Sequence, residues 1–213
     1  MDVYKETFET WNKVAALYEE KFMDFNLYDD TYDQFCGLVA KKNSKILEIG
    51  CGPGNITKYL LNKCPNYAVD GIDIAPNMIA LAKKNNPSAN FRVMDIRNIG
   101  SLEAVFEGII CGFCLPYLSA DDVSKLIKDS SDLLRAKGIL YLSFVEGDSA
   151  QSGFQKGSGG DRVYFYYHSY NQLEKVLIKN DFKIIKLIDK VYTNNDGSLE
   201  THRILLARKL TVE

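Results

Sequence analysis

The run Lys45-Ile46-Leu47-Glu48-Ile49-Gly50-Cys51-Gly52-Pro53-Gly54-Asn55 constrains this chain more than any other stretch. It reads as a buried strand that breaks into three alternating glycines and then opens a helix. Bare backbone there lets the chain turn and approach a ligand, because a Cβ would block one or the other. Glu48 lies inside the strand, and Asp73 follows 19 residues after Gly54.

The pattern on either side decides the architecture. Phe8, Trp11, Ala15, Tyr18, Phe22 and Phe25 recur in steps of three and four, which predicts one helical stripe over 7–25. Asp29 or Asp30 can cap a second helix carrying Tyr32, Phe35, Cys36 and Val39. From residue 45 strands and helices alternate. Strands are expected at 45–49, 67–74, 90–95, 107–112 and 139–145, and helices at 55–63, 76–85 and 119–135. Pro76 suits a first helical turn, and Gly138 stands where a helix C-terminal cap belongs. Five strands separated by helices imply a parallel sheet covered on both faces.

The tail breaks the alternation. A helix at 169–180 leads to a strand at 182–191, the turn signal Asn194-Asn195-Asp196-Gly197-Ser198, and a strand at 201–209. A connection this short makes the two strands antiparallel. The expected fold class is therefore α/β, a doubly wound sheet of seven strands, mostly parallel with an antiparallel last strand, plus an N-terminal helical cap. The expected organisation over 1–213 is one domain: helical cap or lid 1–43, ligand-binding core 44–145, and lid loop with the C-terminal half 146–213. The segment 146–162 carries Gly147, Gly153, Gly157, Gly159 and Gly160 and reads as a long lid or binding loop.

Composition narrows the classes. The formal charge of −2 gives no basic footprint for nucleic acid. No apolar run approaches a membrane span, and the start Met-Asp-Val-Tyr-Lys-Glu lacks a signal-peptide layout, so a cytoplasmic location is expected. Five cysteines, at 36, 51, 64, 111 and 114, scatter among apolar residues as reduced thiols do. Cys111-Gly112-Phe113-Cys114 lacks a second ligand pair for zinc, and no metal is expected.

Three features fall at consecutive strand ends, where ligands bind in open α/β sheets. Gly50–Gly54 ends the first strand, Asp73-Ile74 the second and Asp95-Ile96 the third. A carboxylate at the second can accept from both ribose hydroxyls, and one at the third from an exocyclic amine. Met78, one turn into the next helix, can pack on a flat base. Each has a plainer reading: the two acids as strand-end carboxylates holding loop amides, and Met78 as core.

On Glu48-x-Gly50-x-Gly52-x-Gly54, Asp73, Asp95 and Glu107-Gly108-Ile109-Ile110, the chain resembles the class I S-adenosylmethionine-dependent methyltransferases over residues 44–209. The resemblance implies S-adenosylmethionine as cofactor and in-line methyl transfer to an acceptor, releasing S-adenosylhomocysteine. It implies a cofactor site made of Tyr18, Glu48, Gly50, Cys51, Gly52, Asp73, Ile74, Met78, Asp95, Ile96, Gly112 and Phe113. The Gly50 to Gly52 backbone would face the methionine end, Ile96 would offer its N–H to the base, and Gly112 and Phe113 would hold the amino end. Two residues depart from the family pattern: Glu107 replaces the usual Asp, and Ala75 replaces a capping Ser or Thr.

The acceptor is expected to be a small molecule. Nucleic-acid amino-methylating enzymes resemble one another in an Asn/Asp-Pro-Pro-aromatic run, and here that place reads Cys114-Leu115-Pro116-Tyr117. Candidate acceptor-side residues are Trp11, Tyr117, Tyr164, Tyr166 and His168, with His168 and Tyr117 as candidates for the chemistry. His168 reads first as a hydrogen-bonding residue at a helix start and second as a general base, and Trp11 and Tyr18 read also as anchors of the cap. The rival readings are an NAD(P)-dependent oxidoreductase, which needs glycine where Asn55 stands, and a catalytically silent ligand-binding module on the same fold.

Overall fold

The computed structural model describes residues 3–39, 41–157, 160–194 and 196–211; Met1, Asp2, Gly159 and Asn195 of the sequence reading lie outside them. The central sheet uses β1 (Lys45–Ile49), β2 (Ala68–Asp73), β3 (Asn90–Val93), β4 (Phe106–Cys111), β5 (Leu134–Val145), β8 (Phe182–Thr193) and β9 (Leu199–Lys209). Their order is β3-β2-β1-β4-β5-β9-β8. β1 pairs in parallel with both β2 and β4, whereas β9 runs antiparallel to both β5 and β8. The strand order reverses between β1 and β4, so a crevice opens beyond their C-terminal ends.

Strand alternation sorts the core into two layers. Ile46, Ile110, Tyr141 and Ile204 face α3 (Asp29–Leu38) and α4 (Asn55–Lys63), meeting Phe35, Ile56 and Leu60. Leu47, Ile109, Leu140 and Leu205 face α6 (Ala120–Leu133) and α7 (Tyr170–Lys179), meeting Val123, Ile127, Leu173 and Leu177. Neighbouring strand residues are thus buried on opposite faces, which explains the unbroken apolar runs. Local chemistry marks the helix starts. Ser119 accepts from the Asp122 N–H and Ser169 from the Gln172 N–H, while Pro76 opens α5 (Pro76–Asn85).

Four expectations are corrected. The single stripe over 7–25 is two helices, α1 (Val3–Lys13) and α2 (Ala15–Phe22), parted at Val14, whose ψ of 12° departs from helical geometry. Gly138 does not cap α6. It lies inside β5, which starts directly after the helix, and the irregularity falls at Lys137, with φ of 65°. The segment 146–162 is not wholly a loop, because β6 (Gly153–Lys156) and β7 (Arg162–Phe165) pair as an antiparallel hairpin outside the main sheet. Their backbone groups satisfy one another, with Gly160 turning at φ 84°. The last hairpin is also longer than expected, reaching Thr193 and resuming at Leu199.

The hairpin clamps the cap. Thr10 Oγ1 donates to the Arg162 carbonyl at 2.8 Å, Tyr164 N–H donates to Thr7 Oγ1 at 2.9 Å, and Arg162 pairs with Glu6. Helix α1 is thereby tied to the 162–165 strand through backbone groups of β7, not only through exposed charges.

Glu48 is the anomaly in this core. It sits mid-strand, 1% exposed, accepting from Thr57 Oγ1, while its Oε1 has no hydrogen-bond partner. Burial pushes its pKa up to about 8, and the Thr57 hydrogen bond only partly opposes that. The folded chain therefore holds a proton that the unfolded chain has lost between pH 4.5 and about 8, so ionising Glu48 costs stability as pH rises through that window. Glu48→Gln should flatten the decline: chemical denaturation should find the variant less pH-sensitive than wild type between pH 5 and pH 9. Equal slopes would contradict a buried, protonated Glu48.

Candidate functional site

The chain leaves β1 in the left-handed region, with Gly50 at φ 65° and Gly52 at φ 51°. A Cβ at Gly50 would lie 2.1 Å from Cys114 Sγ, so the position excludes any side chain on two counts. Cys114 in turn donates its thiol to the Ile49 carbonyl at 2.9 Å, joining the loop after β4 to the end of β1. A cavity of about 880 Å³, part of it open to solvent, lies over these loops.

Its walls come from four successive strand ends. Gly50 and Gly52 follow β1, Asp73 and Ile74 follow β2, Asp95 and Ile96 follow β3, and Gly112 and Phe113 follow β4. Tyr18 and Met78 complete the set expected from the sequence. Two expected residues are not in the lining. Glu48 lies beneath it inside β1, and Cys51 is 1% exposed, packed with Ile79, Ala82 and Phe91. Tyr4, Thr7, Phe8, Arg97, Cys114 and Leu118 also line the cavity.

Asp73 Oδ2 accepts from the Gly52 N–H at 2.9 Å and Oδ1 from the Ala75 N–H at 2.8 Å. The acid therefore braces the glycine turn and, in place of a Ser or Thr, holds the start of α5. A carboxylate offers about four acceptor positions, so each oxygen keeps a second one for a ligand. Burial raises the Asp73 pKa, and its backbone hydrogen bonds oppose the rise.

Asp95 is engaged differently. It accepts from the Arg97 N–H at 2.9 Å and from the Arg97 guanidinium at 2.6 and 3.0 Å. Burial disfavours its charge, but the Arg97 bonds and charge together outweigh it and hold the pKa below its ordinary value. The Arg97 guanidinium lies 4.2 Å from the Tyr4 ring centroid, closing that end of the cavity with a flat cation–aromatic pair.

A second cavity adjoins the first and shares with it Trp11, Tyr18, Gly50, Gly52, Gly112, Phe113 and Tyr117. Its further wall is aromatic, with Phe22, Phe25, Tyr28, Tyr32, Phe165 and Tyr192, and its polar groups include Glu200 and His202. Phe113 stands between the two at φ 58°, a strained backbone for a bulky residue, held by its N–H donating to Ser143 Oγ at 2.7 Å. Trp11 Nε1 is a buried donor without a hydrogen-bond partner.

Of the acceptor-side candidates, Trp11 and Tyr117 line both cavities, and Tyr164, Tyr166 and His168 line neither. Tyr164 packs on Phe154 of the hairpin, and Tyr166 packs against Tyr4 and Tyr164. His168 is 4% exposed with its Nε2 2.9 Å from the Leu115 carbonyl, and burial lowers its pKa. It braces the 115–117 turn from behind. The other histidine, His202, is the one that borders a cavity. The register of the last hairpin places it there: Tyr192 pairs with Glu200, and His202, two residues further along β9, falls on the same face as Tyr192. Glu107 accepts from the Lys45 N–H at 2.7 Å and pairs with Arg135, joining the starts of β1, β4 and β5 on the side away from the cavities.

Residues 46–138 match the family described as a methyltransferase domain. A putative methyltransferase of Invertebrate iridescent virus 6 is 32% identical over 144 residues, 65% of this chain and 52% of that protein. The malonyl-[acyl-carrier protein] O-methyltransferase of Paenibacillus sp. (strain JDR-2) is 40% identical over 173 residues, 74% of this chain and 60% of that protein. The chain thus spans about half to three fifths of the length of these relatives. The crystal structure of N-methyltransferase NodS from Bradyrhizobium japonicum WM9, in complex with S-adenosyl-l-homocysteine, shares the fold with a TM-score of 0.72. It is 18% identical, and the match covers 96% of this chain and 98% of that one. With the glycine turn, the ordered strand-end acids and the reversed β9, these likenesses show a methyltransferase domain over residues 46–138, on the fold shared with S-adenosylmethionine-dependent methyltransferases.

Proposed function

We propose that this chain transfers a methyl group from S-adenosylmethionine to a small-molecule acceptor. The observation that carries the reading is the first cavity, where groups from four consecutive strand ends converge in chain order. Bound there, S-adenosylmethionine would supply a methyl group on a positively charged sulfur, already activated as a leaving group. The residues fit that molecule. Asp73 keeps acceptor positions for ribose hydroxyls, Met78 offers a thioether beside a flat base, and the Gly50–Gly52 backbone admits the methionine end. Trp11 adds a buried N–H at the seam between the cavities, a donor whose desolvation a ligand acceptor atom would offset by about 1–3 kcal/mol.

Asp95 contributes through Arg97. Its oxygens are occupied by the guanidinium, so it stiffens the base end and leaves the Ile96 backbone N–H for recognition. The protein's chief task is alignment, and holding two reactants in line supplies roughly 7–11 kcal/mol of a barrier. The helical cap formed by α1, α2 and α3 serves as the lid that excludes water, with Trp11 and Tyr18 lining both cavities. A small acceptor suits the second cavity, which adjoins the first directly and is walled by aromatic side chains. No lysine or arginine among the described residues lines it. Among the described residues no helix is long and apolar enough to cross a membrane.

Calorimetric titration separates this reading from its rivals. S-Adenosylmethionine and S-adenosylhomocysteine should bind and NAD should not; tighter binding of NAD would reverse the assignment. Asp73→Ala should weaken S-adenosylhomocysteine affinity tenfold or more, because charge-assisted hydrogen bonds contribute about 1.5–3 kcal/mol each way of counting. Asp73→Asn should lose less, since it keeps one acceptor oxygen. Unchanged affinity in the alanine variant would refute the ribose role.

A further inference from the structure

The second cavity holds a hydrogen-bonded chain, and its polarity selects what can bind. Tyr28 Oη lies 2.6 Å from His202 Nδ1, and His202 Nε2 lies 3.4 Å from Glu200. All three residues border the cavity. His202 is also fixed in plane, with Tyr192 stacked on it at 4.9 Å and Phe113 packed at 5.0 Å. A carboxylate only accepts, which assigns the imidazole proton to Nε2 and leaves Nδ1 to accept from the Tyr28 hydroxyl. The Tyr28 proton is then committed. What its oxygen has left for a ligand is lone pairs.

We infer that the methyl acceptor is a neutral, ring-bearing molecule whose nucleophilic heteroatom carries a proton, a phenol-like O–H donated to Tyr28 and backed by His202 and Glu200. This rests on the proposed function. The aromatic walls favour a flat partner. An anionic acceptor would meet Glu200 with no lysine or arginine among the described lining residues to offset it. The relay also gives the proton a route. As the acceptor's oxygen bonds the methyl carbon, the electron pair of the broken C–S bond returns to sulfur. The acceptor's proton moves to Tyr28 Oη while the Tyr28 proton moves to His202 Nδ1, and the resulting imidazolium sits beside Glu200. Tyr28 never has to exist as a free phenolate, which its burial opposes.

Binding of 2-naphthol, 2-naphthoate, 2-naphthylmethylammonium and 2-methoxynaphthalene to the full chain, preloaded with S-adenosylhomocysteine, tests this. Preloading is measured first, so failure of the cofactor reading shows separately. The naphthol should bind at least tenfold tighter than the naphthoate and tighter than the ammonium. Tyr28→Phe should weaken naphthol binding about fivefold and leave the methoxy compound unchanged, because only the former donates a proton. Unaltered S-adenosylhomocysteine affinity would show the variant intact. Preference for either charged probe, no binding of the naphthol, or equal loss for naphthol and ether would overturn the inference.

Discussion

The site depends on one close approach, between the chain leaving β1 and the chain leaving β4. The two strands are parallel neighbours across the reversal of strand order, so their ends must diverge within a few residues. Cys114 occupies the volume beside Gly50 and bonds the last carbonyl of β1. That contact holds both loops apart from the sheet and leaves the crevice between them. A larger residue at 50 would push Cys114 out, and with it Phe113 and Tyr117.

Around that approach the molecule tolerates costs that a purely structural core would avoid. Glu48 carries an unsatisfied oxygen in the middle of a strand, Asp73 is buried against backbone amides, and Phe113 adopts left-handed backbone. Strained backbone of this kind costs about 1–3 kcal/mol and persists where neighbours over-determine it. Ser143 does so for Phe113; at Asp73 the cost is burial of a carboxylate, which the Gly52 and Ala75 amides offset. The clustering of these costs at one end of the sheet sets that end apart from the opposite one, where Glu107 is fully paired with Lys45 and Arg135.

What could be read from the sequence follows from how local each signal is. The glycine turn, Pro76 and the apolar strands are contiguous patterns, and they gave the sheet, the reversed β9 and the first cavity. The β6–β7 hairpin was hidden because its strands are four residues long, with β6 mostly exposed and β7 half-buried throughout, so neither shows a buried alternation. Arg97 was overlooked although it stands two residues from Asp95, because a turn start, and not a strand, brings it back onto the acid. The second cavity was the least legible. Tyr192 and His202 share a face through the register of the last hairpin, but Tyr28, just before α3, reaches them only through tertiary packing, and nothing periodic links it to positions so far along the chain. His168 stood out in the sequence for its tyrosine-rich setting, yet tertiary packing turned it away.

Phe113 forms part of the wall of both cavities. Moving its ring to suit a molecule on one side redraws the surface on the other, and the rigid Ser143 support lets little of that adjustment be absorbed elsewhere. Any coupling that this sets up between molecules in the two chambers is reciprocal: whatever factor one imposes on the other's affinity is returned to it. One residue held in an uncommon backbone state is thus the partition through which either chamber would feel the contents of the other.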